Sequence, residues 1–271
     1  MGRNATIDYL RLIAAFAIVW FHANAPGHSI AYAGLAFFLV LLGMPSRAGI
    51  ADRARRLLRP FLVWSVIYGA ARIALSLARG EPSFDWVEPS MLFTGTQLHL
   101  WFLPFAFVVG QIYRVITSNH LVMAIPIAGA ALALIFAQVN QPPFAQWLYG
   151  IVPIGLGYCY FRCGALVVFP WAVCAMLLLG FDWASDNLTI VLGTGLSFVL
   201  LQLRLPQTAL SDWAARISML VYLGHMLLIG FGQVLGLSGL MLALFAIPAT
   251  LLLSFMLDQL RRRASWAAVL A

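Results

Sequence analysis

The chain has 271 residues, of which 63% are hydrophobic and only 9% are charged. A typical soluble domain is about half apolar and about a quarter charged, so water is not the main solvent of this protein. The formal net charge of +7 comes from arginine, since the sequence contains no lysine. The arginines lie between apolar segments rather than in one solvated stripe, which argues against a nucleic-acid partner and favours a topological explanation.

Apolar segments of about membrane-spanning length recur along the whole sequence. They cover residues 7–25, 30–44, 60–79, 98–117, 120–138, 148–161, 164–180, 186–203, 214–232 and 237–258. The second and sixth fall short of the roughly 20 residues that a spanning helix needs, so we expect them to be tilted or partly re-entrant. The pattern predicts an all-α integral membrane protein with about ten transmembrane helices, forming a single domain over residues 1–271 in contact with the lipid bilayer.

The charges of the connections between these segments alternate. The connection 45–60 holds five arginines, whereas the connection 80–90 holds three acidic residues and no basic one. Later arginines also fall at alternate connections, at Arg114, Arg162, Arg204, Arg216 and residues 261–263. The positive-inside rule then predicts that both termini are cytoplasmic, which requires an even number of spans and agrees with ten.

The first segment carries charged residues that lipid disfavours. Arg11 and His22 are eleven residues apart, about 20° beyond three full helical turns, so they share one helix face with about 16 Å between them along the axis. Arg11 alone could be an interfacial anchor, neutralised by Asp8 at i−3. A histidine aligned with it on the same face indicates instead a cavity lined by both residues.

A second set of polar residues lies late in the chain. His225, Tyr222 and Ser218 share about the same helix face, either as interhelical hydrogen-bonding groups or as part of a functional site. Arg72 lies some twelve residues into its segment, too deep for easy snorkelling. Because intramembrane carboxylates are nearly absent, proton transfer inside this membrane would fall to histidine.

An arginine cluster and three cysteines are further candidates for binding ligands. The arginines at 47–59 exceed what topology requires and could form a dock for a multi-phosphate ligand or for acidic lipid head groups; they are Arg47, Arg53, Arg55, Arg56 and Arg59. Cys159 and Cys163 lie one turn apart and Cys174 follows, but two thiols without further ligands make no metal site. We therefore expect packing cysteines and no metal.

Five short motifs, in order, resemble the acyltransferase-3 family of integral membrane acyltransferases. "IDYLRLIAAFAIVWFHA" is similar to its opening signature, an Arg, ten residues and a His, through Arg11 and His22. "AFFLVLLG" resembles its second-helix motif, with Leu42 where Ser is common, and "RRLLRP" supplies its Arg-x-x-Arg as Arg56 and Arg59. "HLWFLPF" resembles its Trp-Phe-Leu helix, and "ISMLVYLGHMLL" its late Ser…Tyr-Leu-x-His helix.

The resemblance implies transfer of an acyl group, usually acetyl, from cytoplasmic acyl-coenzyme A to a hydroxyl of an extracytoplasmic glycan or lipid-linked saccharide, with a bacterial inner membrane as the expected location. Arg56 and Arg59 would hold the donor phosphates, and Arg11 would guide or neutralise the donor. His22 would act as general base or take the acyl group itself. Acyl-coenzyme A would be a co-substrate, and no bound cofactor is expected.

Other residues would surround the reaction or line the acceptor side, namely Asp8, Arg72, Trp101, Ser218, Tyr222 and His225. Among them, His225 and Tyr222 are candidates for supporting groups or oxyanion donors. Arg72 and Arg79 would suit an acidic acceptor or an anionic acyl group such as succinyl. Two other functions remain open: a proton- or anion-coupled secondary transporter, and an inactive relative that acts as a binding partner, which the departure at Leu42 allows.

Overall fold

The computed structural model of the protein describes residues 4–45, 48–80, 84–115, 143–164, 168 and 186–270. Regular secondary structure within these ranges is entirely helical, which confirms the predicted all-α class. The α-helices are α1 (Ala5–His22), α2 (His28–Ala31), α3 (Ala33–Leu42), α4 (Ile50–Arg79), α5 (Met91–Thr94), α6 (Phe102–Val115), α7 (Phe144–Cys163), α8 (Asp186–Leu200), α9 (Ala209–Val234) and α10 (Gly239–Arg263). Two 3₁₀ segments lie at Leu98–Trp101 and Ser265–Leu270.

Four helices, α1, α4, α9 and α10, are long and apolar enough to cross a membrane, counted over the residues that the structure describes. This supports a membrane protein. The predicted segments 120–138 and 164–180 lie outside the described residues, apart from Gly164 and Val168. The total of about ten spans and the cytoplasmic position of both termini therefore stay predictions.

Several predicted segments have different bounds in the structure, and two of them show the physical reasons. Helix α4 begins ten residues before the predicted segment 60–79, because arginine and leucine are good helix formers and continue the helix beyond its apolar part. Pro60 lies inside this helix, as membrane helices tolerate. The sixth segment, predicted to be short at 148–161, belongs to the 20-residue helix α7, because its aromatic N-terminal turn is also helical.

The first helix is delimited by local sequence signals. The side chain of Asn4 caps α1 by accepting a hydrogen bond from the Thr6 amide at 3.0 Å. After His22 the chain turns through Asn24, whose φ of 53° is left-handed, and Gly27, whose φ is 73°. This turn places His22 at the end of α1 and returns the chain along it as α3.

Helix α3 packs closely against three other helices because glycines line its contacts. A Cβ at Gly34 would lie 2.8 Å from the Ala14 carbonyl oxygen of α1, and one at Gly193 of α8 would lie 2.8 Å from Ala36. Gly157 of α7 faces the backbone of Val40. Small residues of this kind let membrane helices approach at backbone distance, so α3 is enclosed by α1, α7 and α8.

Helix α9 lies between α1 and α10. It runs parallel to α1, since the Tyr9 hydroxyl hydrogen bonds that of Thr208 at 2.6 Å near their N-termini and His22 meets His225 near the other end. It runs antiparallel to α10, where Asp258 pairs with Arg216. The three helices share an apolar core of small and branched residues, so polar residues at each end of α1 and α9 are brought together.

Candidate functional site

A cavity of about 590 Å³ lies where α1, α4, α9 and α10 meet. Each helix contributes one arginine, and these are Arg11, Arg56, Arg216 and Arg261. Asp212, Ala215 and Met219 complete the lining. We call this space the basic cavity. Within the described part of the chain, four guanidinium groups face one carboxylate, so the lining favours an anionic ligand.

Buried carboxylates accompany these arginines. Asp258, almost fully buried on α10, accepts from Arg216 at 3.4 Å and from Arg262 at 3.0 Å. Asp8, predicted to neutralise Arg11, is buried one turn before it on α1. Arg216 is thus paired with Asp258, and its partly exposed side chain also lines the cavity.

The predicted donor-binding arginines separate in the structure. Arg56 lines the basic cavity together with Arg11. Arg59, three residues later on α4, is exposed and is not part of that lining. Arg216 and Arg261 line the cavity as well, although their positions in the sequence indicate only membrane topology. Arg47 lies outside the described residues.

Three imidazoles meet towards the other end of α1 and α9. The ring centroids of His22 and His225 are 5.2 Å apart, and those of His225 and His99 are 4.9 Å apart. His99 is 5% exposed and His225 is fully buried. We call His22, His99 and His225 the histidine cluster. The sequence predicted its first and last members, whereas His99 was missed although it opens the motif "HLWFLPF".

Hydrogen bonds to backbone carbonyls hold this cluster. The Nδ1 of His225 lies 2.6 Å from the Tyr222 carbonyl oxygen. The Tyr222 hydroxyl donates to the carbonyl of His99, and the Tyr68 hydroxyl donates to that of Leu223 at 2.5 Å. Tyr222 therefore fastens the 3₁₀ segment to α9, and this geometry favours a positioning task over oxyanion binding for its hydroxyl.

Several buried polar atoms have no hydrogen-bond partner among the described residues. In this region they include Nε2 of His225 and the hydroxyl of Ser218, which lie two turns apart on α9. Such atoms cost stability unless a ligand or neighbour satisfies them. Because His225 and Ser218 share one face of α9, the histidine cluster and the part of α9 that leads to it form a candidate site for binding a polar substrate.

Two further predicted residues lie apart from the cluster. Trp101 is buried and packs on Phe102 and Phe105 in the apolar core. Arg72 is exposed on α4, with its guanidinium carbon 4.6 Å from the centre of the Trp86 ring. The cation–π contact with an indole from the connection 80–90 explains how this arginine is accommodated.

The described residues contain no group of three or more His, Cys, Asp or Glu side chains that could hold a metal ion. Cys159 and Cys163 are free thiols, and Cys174 lies outside the described residues.

Comparison of the chain with protein-family models, with curated proteins and with solved structures gave no match. Functional inference therefore depends on the short motifs and on the geometry of the basic cavity and the histidine cluster.

Proposed function

We propose that this chain is a membrane O-acyltransferase that moves an acyl group, acetyl in the first instance, from cytoplasmic acyl-coenzyme A to a hydroxyl of an extracytoplasmic glycan or lipid-linked saccharide. One observation carries the proposal: the same two parallel helices reach both parts of such a site. Helix α1 carries Arg11 at the basic cavity and His22 in the histidine cluster. Helix α9 carries Arg216 and His225 at the same two places.

The basic cavity suits the charged end of the donor. Coenzyme A bears several phosphate groups on its nucleotide, and guanidinium groups bind phosphate through paired, charge-assisted hydrogen bonds. Arg11, Arg56 and Arg261 come from three helices, so together they could surround a phosphate group rather than touch it from one side. Acyl-coenzyme A is thus the co-substrate that this lining favours.

The distance between the two parts suits the shape of the same donor. Arg11 and His22 are separated by about 16 Å along α1. A ligand held by its phosphates in the basic cavity would need an extended uncharged arm to bring its reactive group to His22. Coenzyme A has such an arm, the pantetheine chain that ends in the thioester.

His22 is the group that we propose to act on the reacting atoms. As general base it would remove the acceptor hydroxyl proton, a contribution typically worth about 10²- to 10⁴-fold in rate. As nucleophile it would first accept the acyl group and then pass it to the hydroxyl. Both routes use a lone pair on one imidazole nitrogen of His22.

The membrane arrangement is part of the proposal. About ten spans with both termini in the cytoplasm would place the basic cavity on the cytoplasmic side, where acyl-coenzyme A is available, because positive residues stay inside. The histidine cluster would then lie nearer the outer side, where glycans and lipid-linked saccharides are found. A bacterial inner membrane provides both compartments.

The test is release of coenzyme A from acetyl- and succinyl-coenzyme A by purified protein, with cell-envelope glycan as acceptor. We expect glycan-dependent release by the wild type and at least a 10²-fold loss in His22→Ala. His28→Ala is the matched control, since His28 bonds the Ala25 carbonyl at 3.2 Å on the adjoining turn and lies outside the histidine cluster.

The outcomes separate the candidate functions. Release that disappears in His22→Ala and persists in His28→Ala would support acyl transfer and identify the preferred donor. Full release in His22→Ala would remove His22 from the mechanism. Folded wild-type protein that neither binds nor cleaves either donor would contradict the transferase and return the transporter or binding-partner hypothesis to first place.

A further inference from the structure

The surroundings of His225 give it a specific task beside His22. We propose that His225 is a positioning residue whose Nε2 accepts a hydrogen bond from one ring nitrogen of His22, so that the lone pair of His22 is confined to its other nitrogen. The catalytic consequence rests on the function proposed above, whereas the hydrogen bond between the two imidazoles does not.

The helix that carries His225 sets the tautomer of its ring. Its Nδ1 lies 2.6 Å from the carbonyl oxygen of Tyr222, one turn earlier on α9. A carbonyl oxygen can only accept a hydrogen bond, so Nδ1 carries the ring hydrogen. The lone pair of the neutral ring is therefore on Nε2, which makes Nε2 an acceptor of known direction.

The Nε2 atom of His225 needs a hydrogen-bond donor. The Nε2 atom is buried and has no hydrogen-bond partner among the described residues. A buried acceptor left without a partner is costly, because it has lost its bond to water. The position of Nε2 on a fully buried side chain makes a protein group the natural donor.

The donor in our proposal is the ring of His22, because the ring of His99, although also close to His225, interacts with the backbone of Leu223. The ring centroid of His22 is 5.2 Å from that of His225, and the two ring planes differ by 32°. Two imidazoles joined by one N–H···N hydrogen bond of about 2.9 Å have centroids about 5 Å apart. The separation of the His22 and His225 rings therefore matches that of two imidazoles joined by such a bond.

A second ring contact restrains the His225 side chain. His99 meets it edge-on at 4.9 Å with an interplanar angle of 72°. His99 is itself fixed, since its carbonyl accepts from the Tyr222 hydroxyl and its ring packs against Tyr68 at 5.2 Å. His225 is thus held through its Nδ1 and through its ring contact with His99, as an orienting group must be.

The consequence for the reaction follows from the tautomer of His22. With one nitrogen donating to His225, the other holds the lone pair and takes the proton of the acceptor hydroxyl. The hydroxyl oxygen forms a bond to the thioester carbon, the carbon–sulfur bond breaks, and the proton passes from His22 to the departing sulfur of coenzyme A. His225 keeps its own proton throughout. An acyl-histidine route needs the same lone pair.

Three substitutions at position 225 separate this task from packing. The side-chain oxygen of His225→Gln can stand where Nε2 stood and accept from His22. His225→Asn reaches only the place of Nδ1, and His225→Phe keeps a ring without an acceptor. We expect kcat to fall about 10²-fold or more in the Asn and Phe variants and less than about tenfold in the Gln variant, with KM for the donor unchanged in all three.

A second measurement needs no enzymatic activity. Nitrogen-15 spectra of histidine-labelled protein in lipid nanodiscs distinguish the two tautomers of each neutral imidazole, and the His22 signals are assigned by their loss in His22→Phe. We expect one His22 tautomer in the wild type and in His225→Gln. We expect a mixture of two tautomers in His225→Phe and His225→Asn.

Each outcome decides the proposal. A single His22 tautomer that becomes a mixture in the Asn variant supports it, even if the Phe variant does not fold. A mixture already present in the wild type, or a His22 spectrum unaffected at position 225, overturns it and would point to His99 as the donor to Nε2. If the wild type transfers no acyl group, the proposed function fails while the spectra still decide whether His225 orients His22.

Discussion

At the scale of single residues, the lining of the basic cavity and the sequence motif lead to different predictions about which arginines bind coenzyme A. The motif "RRLLRP" pairs Arg56 with Arg59, but only Arg56 lines the cavity. A lost charge-assisted hydrogen bond costs about 1.5–3 kcal/mol, so we expect Arg56→Ala and Arg261→Ala each to weaken coenzyme A binding at least about tenfold. Calorimetric titration measures this, with Arg263→Ala as control. A larger effect of Arg59→Ala than of Arg261→Ala would contradict the structural assignment.

Whether a residue of the candidate site can be predicted from sequence depends on how close its partners lie along the chain. Arg11 and His22 could be predicted because both lie on one helix, whose geometry alone aligns them. His99 could not, because its neighbour His225 follows 126 positions later and their contact depends on how the 3₁₀ segment packs on α9. Arg216 and Arg261 already fit the predicted membrane topology. The neighbouring sequence does not distinguish these two cavity residues from arginines that only mark a cytoplasmic connection.

At the scale of helices, the packing of α3 depends on glycine. A side chain at Gly157 of α7 would run into the backbone of Val40, which cannot yield as a flexible side chain would. Overpacking of this kind costs about 1–3 kcal/mol, so Gly157→Ala should lower the thermal unfolding temperature of detergent-purified protein. Gly195→Ala is the matched control, since a Cβ there meets no atom within 4 Å. Equal melting of both variants would show that α3 and α7 can separate without loss.

The predicted bounds agree best with the structure for helices that consist of one continuous apolar run. Helices α1, α9 and α10 contain most of the predicted segments 7–25, 214–232 and 237–258, because a continuous apolar run must be helical in lipid. The prediction was wrong at the start of α4, where hydropathy ends but helix propensity continues through an arginine-rich stretch. The hydropathy of a segment indicates whether lipid or water surrounds it, whereas the ends of a helix depend on capping residues and on helix propensity.

At the scale of the whole molecule, the proposed acyl transfer requires a fixed orientation of the chain in the membrane. The basic cavity is formed near the start of α9 and the end of α10, whereas the histidine cluster lies further along α1 and α9. A donor from one compartment and an acceptor from the other could then meet along the same helices. Reversal of the chain in the membrane would leave the geometry unchanged but would bring the cavity to the side without acyl-coenzyme A.

That orientation can be measured in intact bacterial cells. In a background with Ser at positions 159, 163 and 174, Asp85→Cys reports the acidic connection and Arg263→Cys reports the end of α10. The positive-inside rule predicts that an impermeant maleimide labels Asp85→Cys in intact cells and Arg263→Cys only after permeabilisation. Arg261 is two residues from the second probe and lines the basic cavity, so the same result would place the cavity in the cytoplasm. Labelling of Arg263→Cys in intact cells would exclude a cytoplasmic acyl donor at this cavity and, with it, the proposed direction of transfer.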